Sequence, residues 1–134
     1  MAKTALVVDD VAFARKVIKD ILTAAKYNVI GEAANGNEAV LLYNKHKPDV
    51  VTMDIVMPEK GGIEATRQIL DGDKNAKIIM ISAMGHEQLL MEAINAGARD
   101  YILKPFSPDD LIKAVEKVLY DEDAVAREMS HGAV

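Results

Sequence analysis

The chain has 134 residues, half of them hydrophobic, 28% charged and none cysteine, with a net charge of −5. That is enough chain for one domain with a buried core and too ordinary a balance for disorder. The acidic balance disfavours non-specific binding to nucleic acid or anionic membrane, and the lack of cysteine excludes disulfides, thiolate metal sites and cysteine nucleophiles. The N-terminal Met1-Ala2-Lys3-Thr4 has no signal-peptide character and no stretch reaches bilayer length, so a cytoplasmic protein is expected.

Short apolar runs alternate with helical patterns five times. The runs are Ala5–Val8, Val29–Ala33, Val50–Met53, Ile78–Ile81 and Tyr101–Leu103. The first, third and fourth are apolar on both faces, as central strands of a parallel sheet must be. Between the first two, Phe13, Val17, Ile18, Ile21, Leu22 and Ala25 form a helical stripe expected to face the core. Asn35 with Glu38 reads as a capping box, and Gly72 and Ala96-Gly97-Ala98 as helix ends. Ser107-Pro108-Asp109-Asp110 starts the last helix with a cap, a proline and first-turn acids. Its buried stripe is Leu111, Ile112, Val115, Val118 and Leu119.

Alternating strands and helices imply a doubly wound α/β domain, a five-stranded parallel sheet with helices on both faces. Such sheets hold their chemistry beyond the carboxyl ends of the strands. There the sequence places Asp9 and Asp10 after the first strand, Asp54 after the third, Ser82 after the fourth and Lys104 after the fifth. Taken singly, each has a plain reading: Asp9-Asp10 as a turn, Ser82 as a helix cap, Lys104-Pro105 as a strand exit. Together they place three carboxylates, a hydroxyl and an ammonium on one rim. Crowded carboxylates with oxygen-only ligands suit a hard cation, Mg²⁺ above all. A carboxylate beside Mg²⁺ is a nucleophile towards phosphorus, and Lys104 and Ser82 are the donors for the remaining phosphoryl oxygens.

The motifs Val7-Val8-Asp9-Asp10, Met53-Asp54-Ile55-Val56-Met57-Pro58, Ile81-Ser82-Ala83 and Lys104-Pro105-Phe106 resemble those of response-regulator receiver domains, above all the single-domain members that act in chemotaxis. The resemblance covers about residues 3 to 120, making 1–120 the receiver domain and 121–134 a C-terminal tail, either a helix extension or frayed. It implies a flavodoxin-like strand order of 2-1-3-4-5. It implies Asp54 as phosphoacceptor and Asp10, Asp9 (largely through water), Asp54 and the Val56 carbonyl as the Mg²⁺ set. It implies further that Lys104 and Ser82 bind the phosphoryl group, that Tyr101 swings inward as Ser82 moves, and that the Lys104–Pro105 bond is cis. Leu90 is expected on an outer face near Tyr101, where receivers dock partners.

The implied phosphodonor is a sensor histidine kinase, and the implied target a motor-switch or adaptor protein, with a possible phosphatase and a monomeric state. With only about fourteen residues after the last core helix, the chain is expected to act by binding another protein. Three functions compete. The first is a phosphorylation-dependent switch, not an enzyme beyond its own phosphorylation and dephosphorylation. The second is a phosphate sink or phosphorelay shuttle without an output target. The third is a phosphotransferase or phosphatase working through an aspartyl phosphate, which usually has a second acid two residues after the nucleophile, where this chain has Val56. A flavodoxin-type flavin carrier fits poorly with the acidic rim and few aromatics.

Two departures from the family pattern stand out. Gly61-Gly62 replaces an acid-glycine pair, which is expected to loosen the turn and remove a cap. Val56 and Met84 flank the site with apolar side chains, and are expected to impede the attacking water and slow loss of the phosphoryl group.

Overall fold

In the computed structural model, residues 2–132 are described, with side chains through residue 120. Five strands alternate with five helices: β1 (Thr4–Val8), α1 (Ala12–Ala24), β2 (Asn28–Ala33), α2 (Gly36–His46), β3 (Val50–Asp54), α3 (Gly62–Gly72), β4 (Ile78–Ala83), α4 (Glu87–Ala96), β5 (Asp100–Lys104) and α5 (Pro108–Gly132). All neighbouring strands pair in parallel and the order is β2-β1-β3-β4-β5. The three runs that are apolar on both faces are the three interior strands. β2 and β5, the edges, are only partly buried.

The sheet separates two apolar cores. On one side Leu6, Val8, Val51, Met53, Ile78 and Met80 pack against α2, α3 and α4; on the other Ala5, Val7, Val50, Ile79 and Ile81 pack against α1 and α5. Alternate residues of one strand thus serve opposite cores, as the pleat requires. The helix starts are set locally. Asn35 accepts the Glu38 amide at 2.9 Å, while the Glu38 carboxylate takes the Ala34 N–H at 2.7 Å, one residue earlier than a capping box would have it. Ser107 and Asp110 exchange reciprocal bonds of 3.0 and 3.1 Å at the start of α5. Gly97 ends α4 in a left-handed conformation, whereas Gly72 is the last residue inside α3 and Asp73 caps it.

Two expectations about faces are corrected. Phe13 and Val17 do not join the core: Phe13 is 74% exposed, because the first turn of α1 stands at the rim of the sheet beside Pro105 and Phe106, across a groove of about 290 Å³. The buried stripe of α1 is Ile18 and Leu22. Leu90 does not lie on the outer face. It is 9% exposed and belongs to the core on the α2, α3 and α4 side of the sheet, and the exposed apolar residue of α4 is Met91 at 61%.

Candidate functional site

The carboxyl ends of β1, β3, β4 and β5 bring the expected residues together. One carboxylate oxygen from each of Asp9, Asp10 and Asp54 lies within 4.8 Å of the others. The Lys104 ammonium stands 3.3 Å from Asp9 and 3.8 Å from Asp54, bridging the acids across the rim. This donor set of hard oxygens, concentrated in one spot with a single ammonium against three carboxylates, fits Mg²⁺.

Sheet register explains the convergence. Val8 pairs with Met53, so Asp9 and Asp54 leave adjacent strands side by side. Asp54 pairs with Ile81, Ser82 with Leu103 and Ala83 with Lys104, which sets Ser82 one residue and Lys104 two residues beyond the level of Asp54 on the next strands. The acids differ in setting. Asp9 is fully buried and accepts the Val11 N–H at 2.9 Å, so its turn-forming role and its place in the site coexist. Asp10 is exposed and Asp54 intermediate. Burial pushes the Asp54 carboxyl up from the usual 3.8 to about 6. The Asp9 charge adds to the rise, Lys104 pulls it back, and Asp10 contributes a smaller push.

Ser82 is 1% exposed, lies inside β4 and donates its hydroxyl to the Ala83 carbonyl at 3.1 Å. It caps no helix, since α4 begins only at Glu87 behind His86. The Lys104–Pro105 peptide is cis. Val56 and Met84 are exposed, and Ile55 and Met57, the neighbours of Val56, are buried. Tyr101 points out from β5, 45% exposed, at a groove of about 460 Å³ shared with Leu103, Phe106, Lys113 and Lys117.

Several contributors escaped the sequence reading. Arg15, on α1, donates to the Asp9 carbonyl at 2.7 Å and also meets Glu32 of β2 at 3.3 Å, tying the acidic turn to two elements. Nothing in the sequence pairs Arg15 with Asp9, because an arginine one turn into an amphipathic helix is an ordinary surface residue. The second glycine of the Gly61-Gly62 pair is closely packed. A Cβ on Gly62 would lie 2.1 Å from the Asp54 carbonyl oxygen, and its N–H bonds Ile55 at 2.8 Å. The missing cap is as expected: Gly61 opens α3 with no side-chain bond.

Comparison with known proteins agrees with this geometry. Residues 5–116 match the response regulator receiver domain. The chain is 55% identical over 118 residues to the chemotaxis protein CheY of Thermotoga maritima, covering 88% of this chain and 98% of that protein. It is 50% identical over 119 residues to CheY of Bacillus subtilis, covering 89% and 99%. A solved CheX–CheY complex with BeF₃ and Mg²⁺ from Borrelia burgdorferi superposes with a TM-score of 0.83 at 41% identity, over 87% of this chain and 88% of that one. The chain belongs to the response regulator receiver domain family and is CheY-like within it.

Proposed function

We propose that the chain is a phosphorylation-dependent switch that accepts a phosphoryl group on Asp54 and reports it to a partner protein. The observation that supports this most directly is the meeting of Asp9, Asp10 and Asp54 within 4.8 Å, with Lys104 bridging two of them. Asp10, Asp9, Asp54 and the Val56 carbonyl would hold Mg²⁺, which when bound neutralises charge on the transferred group. An Asp54 carboxylate oxygen attacks phosphorus as the bond to the donor's imidazole nitrogen breaks, and the imidazole leaves with the electron pair. Lys104 is placed to release Asp9 and take a phosphoryl oxygen. The buried Ser82 hydroxyl exchanges its bond to Ala83 for one to the phosphoryl group.

As Ser82 moves towards Asp54, room opens beneath β5 and Tyr101 turns inward, reshaping the groove with Lys113 and Lys117. That groove, with exposed Met91 nearby in sequence on α4, is the surface for a motor-switch or adaptor protein and favours a switch over a sink. The donor is a histidine kinase of the CheA-like class. A phosphatase is proposed as a further partner, and the Borrelia burgdorferi CheY is itself solved in complex with another protein, CheX. The working form is a cytoplasmic monomer in which residues 1–120 are the receiver and 121–134 an appendage. No helix among the described residues is long and apolar enough to cross a membrane.

The test is intact mass after incubation with Mg²⁺ and acetyl phosphate. Wild type gains one phosphate and Asp54→Asn gains none; equal labelling of both would remove the reading. A pull-down with and without beryllofluoride separates switch from sink, because a sink captures the same partners in both states.

A further inference from the structure

The first N–H of α2 is used outside its own helix. Asn35 caps the Glu38 amide and Glu38 takes the Ala34 amide, so neither serves Gly36. The Gly36 N–H donates instead to the Lys60 carbonyl at 2.8 Å, in the loop between Asp54 and α3. The contact demands glycine. A Cβ at position 36 would sit 2.5 Å from that carbonyl oxygen and 2.7 and 2.8 Å from the Lys60 Cγ and Cβ. The loop needs such an anchor, because Glu59 holds a left-handed φ of 65°, which a non-glycine residue keeps only when its surroundings impose it. The loop is closed on itself by the Gly62 N–H on Ile55 and steadied by the Lys60 ammonium on Gln68, and its Met57 is buried. Val56 is thereby carried on a short arch pinned on both sides.

We propose that Gly36 is a positioning residue for the metal-binding loop, so that the β2–α2 turn, which bears no titratable group at the site, sets its Mg²⁺ affinity. The inference rests on the reading of Asp9, Asp10, Asp54 and Val56 as the Mg²⁺ set. Residues that orient ligands from behind change metal affinity by about ten- to a hundredfold.

Calorimetric titration with Mg²⁺ alone tests it on the full chain. Gly36→Ala is expected to bind at least about tenfold more weakly. Leu42→Ala, which loosens α2 elsewhere, is expected to stay within about twofold of wild type. A folded Gly36→Ala with wild-type affinity overturns the proposal, as does an equal loss in Leu42→Ala. Wild type that takes up no Mg²⁺ overturns the underlying reading of the site, a distinct result. Amide exchange on wild type supplies a measurement that needs no variant. Mg²⁺ is expected to slow exchange at Gly36 at least about threefold more than at Ala25, at the far end of α1, because coupling between two sites is reciprocal. Equal slowing at both amides overturns the proposal.

Discussion

At the residue scale, Asp54 concentrates the conflict of the site. Its carboxyl is raised to about 6 because burial and the Asp9 charge oppose ionisation. The unfolded chain ionises it near 3.8, so the folded state holds more protons between those values, and stability falls as pH rises from about 4 to about 6. In EDTA at pH 7.5, Asp54→Asn is therefore expected to be more stable than wild type by on the order of 2 kcal/mol. The difference should vanish near pH 4, which paired urea melts at the two pH values would show. The same rise predicts that phosphorylation at limiting Mg²⁺ slows as pH drops below about 6. Val56 and Met84 are both exposed, and the proposed phosphoryl transfer makes them the candidates for hindering the attacking water. Polar replacements, Val56→Asn and Met84→Glu, are expected to speed phosphate loss by roughly threefold or more each by orienting that water. Rates unchanged from wild type in a phosphate-release assay would show that these side chains do not shield the site.

At the scale of elements, the sequence was most legible where strands are central. Ala5–Val8, Val50–Met53 and Ile78–Ile81 could be read as interior strands because both faces are apolar, and their carboxyl ends then nominated Asp9, Asp10, Asp54 and Ser82 without a structure. The fourth helix was less legible. Leu89, Leu90, Met91, Ala93 and Ile94 place five apolar residues within six positions, which leaves the phase of the buried stripe undetermined by period alone. Packing chose Leu90 and Ala93 for the interior and Met91 for solvent. Leu90→Ala is accordingly expected to destabilise by about 2–4 kcal/mol, as a core truncation. Met91→Ala should change stability by less than about 0.5 kcal/mol and instead weaken partner capture. A melt and a pull-down on the two variants separate these effects. The contacts of Arg15 with Asp9 and of Gly36 with Lys60 were illegible for a different reason. Both run through backbone carbonyls, and a carbonyl has the same chemistry whatever residue bears it.

At the scale of the molecule, the proposed Mg²⁺ set of Asp9, Asp10 and Asp54, drawn together only by folding, would make folding and cation binding one equilibrium. A ligand that binds only the folded state stabilises it by RT ln(1 + [L]/Kd), about 1.4 kcal/mol at tenfold excess over Kd. For a domain of this size, Mg²⁺ at that level should raise Tm by roughly 3–8 °C at pH 7.5, and EDTA should reverse the gain. Replacing Asp10 by Asn should remove most of the increment, as a thermal scan would report.

The order β2-β1-β3-β4-β5 has a mechanical consequence. β3, which carries Asp54, is clamped by a hydrogen-bonded neighbour on each side and buried on both faces. β5 is held along one side only, by β4, and its side chains alternate between partial burial and solvent. Compliance therefore rises from the middle of the sheet towards one border, and Ser82 sits on the strand between the rigid and the yielding parts. A displacement started at Asp54 meets stiff material towards β1 and soft material towards β5. The sheet is thus built like a cantilever, anchored at Asp54 and free to bend at Tyr101.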